Sequence, residues 1–168
     1  MSEGTRRSTE DAIARRRLVR MLALAGSVPA VLGARLTSRT EAGEPPAEII
    51  QPPRADGEHF MRRAFEMRRL AVERGDQPYG AVVVKDGRIV GEGASGVVVR
   101  RDPTAHGEME AIRDACRRLG TSDLGGCEVY ASSKPCPMCE TACYWARVAR
   151  IYYGSAITEA GPPRYPPC

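Results

Sequence analysis

Two short stretches of this chain hold residues whose types and spacing can do metal chemistry. His106-Gly107-Glu108 reads H-x-E, and 27 residues beyond Glu108 comes Pro135-Cys136-Pro137-Met138-Cys139, which reads P-C-x-x-C. Zinc takes nitrogen and thiolate ligands, so one His and two Cys leave a fourth tetrahedral position open. A water held there loses its proton near neutral pH, with its pKa lowered from about 16 towards about 7. A carboxylate two residues from the His ligand, not itself on the metal, can take that proton and hand it on. The expected ligands are therefore His106, Cys136 and Cys139, with Glu108 as proton carrier. A C-x-x-C pair alone also fits a redox couple or a structural zinc clip, and a lone His at a helix start is usually a cap. The chain has only two histidines, and the one with Glu at +2 is also the one upstream of the Cys pair. That coincidence favours a catalytic metal.

Four further cysteines are present. Cys116 shares a helical face with Met109, Ile112 and Leu119 and is expected in the core. Cys143 stands four residues after Cys139, a full turn deeper on the same helix, and is not expected to reach the metal. Cys127 and Cys168 have no assignable role, since pairing cannot be read from spacing alone.

The ligands need two helix starts to present them. Phe60, Met61, Ala64, Phe65, Met67, Ala71 and Val72 recur at helical spacing from about Glu58 to Arg74. Ala81 to Val84, the Asp86-Gly87 turn and Arg88 to Gly91 form a hairpin. Asp102-Pro103-Thr104 is expected to cap a second helix from about Ala105 to Leu119, stopped by Gly120. Cys127 to Ser132 is a third strand. Pro137 opens a third helix that ends near Arg147, and Ile151 to Tyr153 is a fourth strand. The order α-β-β-α-β-α-β implies an α/β domain, a mixed sheet with helices on its faces. Both motifs then fall at strand-to-helix junctions, where the positive ends of two helix dipoles favour thiolate and hydroxide.

Charge narrows the partners. The 168 residues carry 25 Lys+Arg and 21 Asp+Glu, net +4, but residues 1–34 hold six Arg and three acids. The rest has 19 basic and 18 acidic groups, net +1. Such a body lacks the electrostatic footprint of a nucleic-acid binder. Residues 1–34 are expected to be an export signal. Arg15-Arg16-Arg17-Leu18-Val19-Arg20 is similar to the twin-arginine pattern, and an apolar run from Met21 to Ala34 follows. At about 14 residues the run suits a signal segment and is too short for a stable membrane span. The competing reading is a disordered basic leader, which would leave the protein in the cytoplasm. Residues 35–57, with Pro45-Pro46 and Pro52-Pro53, are expected to be an unpacked linker. The domain proper is expected over 58–168.

Together these residues resemble the cytidine and deoxycytidylate deaminase superfamily, whose H-x-E and P-C-x-x-C motifs are shared by zinc enzymes that deaminate bases. Pro78-Tyr79-Gly80-Ala81 through Asp86-Gly87, Asp102-Pro103-Thr104-Ala105-His106, and Tyr144-Trp145-Ala146-Arg147 extend the likeness over about residues 58–155. Within the superfamily it is similar to bacterial guanine deaminases first and tRNA adenosine deaminases second. The resemblance implies a three-layer α-β-α fold and hydrolytic, zinc-dependent deamination of a free purine base or related amino-heterocycle or nucleoside. The alternatives are tRNA adenosine deamination and a non-catalytic zinc module. It also implies a homodimer, and substrate contacts from Tyr79, Ser95 and Trp145, with backbone groups at Ala81 and Ser133 near the reacting water. Three residues depart from the family pattern. Gly107 replaces an Ala, expected to be harmless. Lys134 replaces a Glu, changing the charge beside the site. Ser95 replaces a base-holding Asn and lacks its amide fork. The fold is expected to be shortened at its C-terminal end, where Gly161 to Pro167 forbid regular structure, and so to leave an open pocket.

Overall fold

The structure is a computed structural model that describes residues 47–164. The expected export segment 1–34 lies outside these residues, as does Cys168. Helix α1 spans Gly57–Glu73, strand β1 Gly80–Lys85 and strand β2 Arg88–Ala94. Helix α2 spans Gly107–Leu119, strand β3 Glu128–Ala131 and helix α3 Pro137–Trp145. Strands β4, Arg150–Tyr153, and β5, Thr158–Gly161, complete the order. None of the described helices is long and apolar enough to cross a membrane.

The five strands form one sheet in the order β2-β1-β3-β4-β5. Only β3 and β4 run parallel; the other neighbours are antiparallel. β1 is central and buried on both faces, which is why its sequence is a continuous apolar run rather than an alternation. Val82 and Val84 pack with Phe60, Met61, Ala64 and Met67 of α1 on one side. Ala81 and Val83 pack with Ala111, Ile112 and Ala115 of α2 and Cys143 of α3 on the other. The expected mixed-sheet, three-layer α-β-α arrangement is the observed one.

Local chemistry sets most boundaries. Asp56 caps α1, its carboxylate accepting from the His59 N–H at 2.9 Å. Asp86 and Gly87 take φ values of 49° and 73°, the left-handed pair of a type I′ turn. Gly120 ends α2 in the left-handed conformation, φ 65°.

Three expectations need correction. Asp102 does not cap α2; its carboxylate accepts from the Thr104 N–H and hydroxyl at 2.8 and 2.7 Å and closes its own turn. The helix starts later, with His106 at the N-cap. Regular structure also continues past β4. Ile157 and Gly154, both at positive φ, turn the chain back, and β5 pairs with β4. Residues 158–161 carry no apolar alternation, so the open edge of β4 supplies what the sequence does not advertise.

The third correction concerns the Pro-rich linker, part of which packs. Ile49 is buried against the α1 face of the sheet. The Gln51 amide donates to the Ile89 carbonyl at 2.8 Å and accepts from the Ile89 N–H at 2.9 Å. It pairs with β2 as a neighbouring strand would, beside a bulge where Val83 faces Gly91 but Val84 faces Ile89. Pro residues keep the segment extended, and one Ile with one Gln suffices to dock it.

Candidate metal centre

The two helices that carry the motifs begin at unusual N-caps. That position normally holds Ser, Thr, Asp or Asn, whose side chain closes on the helix's first N–H groups. Here it holds His106 on α2 and Cys136 on α3, and neither side chain makes a capping bond. Both are free to turn towards each other. Cys139 joins them from the first turn of α3.

The three candidate ligand atoms form a nearly regular triangle. Cys136 Sγ lies 3.7 Å from His106 Nδ1, Cys139 Sγ 3.6 Å from the same nitrogen, and the two sulfurs are 3.6 Å apart. Zinc with bonds of about 2.3 Å to sulfur and about 2.0–2.1 Å to nitrogen, at tetrahedral angles, gives edges of about 3.6–3.8 Å. The residues therefore fit zinc with one corner open. Their electrostatics agree. Burial first, then the charges of Glu108 and Cys136, push the Cys139 thiol far above its ordinary range. A thiolate here is costly until a cation sits beside it. Glu108, on the first turn of α2, is buried, with a carboxylate oxygen 3.6 Å from Cys139 Sγ. Burial raises its pKa, opposed by a hydrogen bond to its own backbone N–H, by Cys139 and by the His106 charge. A carboxyl that burial makes readier to hold a proton is suited to carrying one.

Among the described residues, His106, Cys136 and Cys139 form the one set able to hold a metal. Cys143 belongs to the core cluster instead. Burial, then Glu108 and Glu140, raise its thiol well above the ordinary range. Cys143→Ala should therefore retain one zinc per chain by metal analysis while losing about 1–2 kcal/mol of stability. A halved zinc content would show that this thiol closes the coordination sphere.

A cleft of about 560 Å³ opens over the cluster. His106, Glu108 and Cys136 form its floor, and Gln77, Tyr79, Ser133 and Lys134 its walls. Of the residues expected to contact substrate, Tyr79 and Ser133 line this cleft. Ala81 is fully buried in β1, in register with Gly93 and Ala131, and does not line the cleft. Trp145 ends α3, far along the helix from Cys139, 69% exposed and edge-on to Tyr144. It does not line the cleft either. Ser95 lines a separate cavity of about 360 Å³ between α1, β2 and α2.

The Ser95 hydroxyl is committed to a residue that sequence reasoning missed. It donates to Asp76 Oδ1 at 2.7 Å, and the same oxygen accepts from the Gln77 N–H at 2.8 Å. Oδ2 accepts from the Val98 and Val99 N–H groups, both at 2.9 Å. Asp76 thus ties the turn after β2 to the segment carrying Gln77 and Tyr79. Nothing in a lone Asp after Gly75 signals this. Burial works to raise its pKa, but the hydrogen bonds from Val99, Ser95, Gln77 and Val98 outweigh it and hold the value at about 2. A folded pKa below the unfolded value of about 3.9 stabilises above that value and is lost as pH falls towards 2. Asp76→Asn turns an NH₂ group towards donors and should cost about 2 kcal/mol at pH 7. Thermal melts of wild type and variant should converge between pH 4 and 2. A gap independent of pH would mean that the carboxylate charge plays no part.

Gly107 also proves to be fitted rather than incidental. A Cβ there would stand 2.8 Å from Gly80 Cα and 2.9 Å from Gly80 N, both backbone atoms. The start of α2 presses directly on the start of β1, and this places His106 and Glu108 over the sheet.

The model of the cytidine and deoxycytidylate deaminase zinc-binding region matches residues 54–155. The chain belongs to this deaminase family. The guanine deaminase of Bacillus subtilis is 46% identical over 104 residues, which are 61% of this chain and 67% of that protein. Its crystal structure superposes with a TM-score of 0.58 and covers 60% of this chain. The match spans 64% of that solved chain, just under two thirds. The tRNA-specific adenosine deaminase of Aquifex aeolicus is 41% identical over 62% of this chain and 69% of its own length. The guanine deaminase of Nitrosomonas europaea has a TM-score of 0.59 at 27% identity, covering 76% of this chain and 72% of its own.

Proposed function

We propose that this protein is a zinc-dependent hydrolase that removes the amino group of a free purine base, or of a related amino-heterocycle or nucleoside, and releases ammonia. The observation that carries the reading is the triangle of His106, Cys136 and Cys139 with Glu108 beside it at the floor of a cleft. When bound, zinc supplies a Lewis acid that makes water nucleophilic at neutral pH. The chain's residues do the rest. Glu108 takes one proton from the attacking water and gives it to a ring nitrogen of the base. It then takes the remaining proton from the newly added hydroxyl and gives it to the amine, which departs as ammonia while a carbonyl forms. Tyr79 and Ser133 line the space where the base sits, and the buried floor keeps bulk water from Glu108. A screen of ammonia release across free bases, nucleosides and pterins by the zinc-loaded protein tests this. Full zinc with no ammonia from any of them would favour a non-catalytic zinc module.

The 41% likeness to a tRNA-specific adenosine deaminase supports a second reading, in which RNA is the substrate. The net +1 of residues 35–168 weighs against it. Binding to a tRNA stem-loop that collapses with salt, together with inosine formation, would reverse the order of the two.

Two further parts of the proposal rest on sequence and family. Arg15-Arg16 and the apolar run behind them support export in the folded state, with zinc already in place and its thiolates protected from oxidation. Cell fractionation of Arg15→Lys/Arg16→Lys checks this; mature protein outside the cytoplasm in that variant rejects the twin-arginine route. Family likeness supports a homodimer, and sedimentation of the purified protein decides it.

A further inference from the structure

The cleft wall opposite the floor carries one full charge, and it is unspent. Lys134 is exposed at the rim. Among the described residues it makes no hydrogen bond or ion pair, and the same holds for the side chains of Gln77, Tyr79 and Ser133 around it. No carboxylate lines the cleft apart from Glu108 on the floor. Two thiolates would balance a divalent cation, so Glu108 on the floor is the one side-chain carboxylate facing the ammonium across the cleft. The starts of α2 and α3 both point into this space and add positive potential of their own. Four side chains able to donate, a cation among them, are thus arranged around a space of about 560 Å³. Cavities of that size hold ligands larger than a bare base.

From this we infer that Lys134 selects substrates in which the amino-heterocycle carries an oxyanion, a carboxylate or a phosphate, placed away from the reacting carbon. The inference rests on the deaminase reading and narrows its substrate class. The heterocycle lies over Glu108 and the metal cluster, and its anionic arm reaches the rim, where Lys134 meets it with Gln77 or Tyr79 as a further donor. Lys134 is a specificity residue and takes no part in the proton transfers.

The test uses the full chain loaded with zinc and matched pairs of compounds. One arm compares pterin with pterin-6-carboxylate; another compares guanosine and adenosine with their 5′-monophosphates. Ammonia release gives kcat/KM, and titration calorimetry gives affinity independently of turnover. In at least one arm the anionic member should be preferred about tenfold, the size expected of a charge-assisted contact partly open to water. That preference should shrink as ionic strength rises. Lys134→Gln should erase it, and Lys134→Glu should reverse it, with zinc content and circular dichroism confirming that both variants are folded and loaded. The arm that responds identifies carboxylate or phosphate as the source of the charge. Equal handling of charged and neutral members, or a preference that survives Lys134→Glu, overturns the inference while leaving the deaminase reading intact. Lys134-dependent binding of the anionic members without ammonia release, with the free bases equally inert, supports the charge selection and removes the deaminase reading. Deamination of an RNA stem-loop alone, with every small molecule inert, overturns a small-molecule substrate.

Discussion

Glu108→Gln should abolish ammonia release while leaving zinc bound. The amide matches the carboxylate in size, so the buried first turn of α2 and the adjacent ligands should keep their places. What disappears is the group that can both accept and return a proton. Removing a general acid–base costs roughly 10²–10⁴ in rate. One residue serves several transfers here, so the loss should reach about 10⁴ or more. Ala is a poorer choice, because it opens space for extra water beneath the metal. Zinc content and ammonia release are measured on one sample, with a substrate the wild type accepts. Full zinc with a rate near that of wild type would reduce Glu108 to a helix-start residue and remove the mechanism.

The second large effect lies in the scaffold. Gly93 sits on β2 where the first turns of α2 cross it. A Cβ there would stand 2.1 Å from the Gly107 carbonyl oxygen, 2.3 Å from Ala111 N and 2.9 Å from the Glu110 carbonyl carbon. All three are backbone atoms and cannot swing aside. Gly93→Ala must therefore push α2 off the sheet, at a cost of about 3 kcal/mol. The push acts on the peptide between His106 and Glu108, so zinc affinity and turnover should fall together. Gly57→Ala is the matched control. A Cβ at Gly57 meets nothing nearer than 3.6 Å, and Ala at a helix start should be neutral or slightly stabilising. Denaturant melts with parallel zinc titrations compare the two. Equal midpoints would show that α2 does not rest on β2 as described.

What the sequence made legible follows from how each signal arises. The hairpin, both motif helices and the two-sided burial of β1 come from local patterns: Asp86-Gly87, Gly120, Pro137 and an unbroken run of valines. The convergence of His106, Cys136 and Cys139 into one candidate metal set was legible because zinc tolerates few ligand types and fixes their spacing. Other features depend on distant partners. β5 forms because β4 has an open edge, not because Thr158 to Gly161 favour extension. The fate of Ser95 was misread because its partner, Asp76, lies in an irregular segment with no motif. Trp145 was expected over the base because of the family pattern around it; its place at the end of α3 sets it far from the first turn that carries the cysteines. Gly107 looked like a minor departure because a close backbone approach leaves no trace in composition.

The docked segment before α1 changes what kind of protein the isolated domain would be. β2 is the outermost strand on its side of the sheet, and such a strand is a template for any chain with free backbone groups. Two side chains occupy that template on either side of the bulge: Gln51 takes both backbone groups of Ile89, and Asp114 accepts from the Glu92 N–H at 3.1 Å. A fragment beginning at residue 58, the boundary that hydrophobic patterning suggests, would keep every metal ligand and Glu108. It would also bare the Ile89 edge and the apolar surface beneath Ile49, inviting sheet-to-sheet self-association. What residues 47–56 cover is the sheet edge and its apolar flank, not the metal cluster.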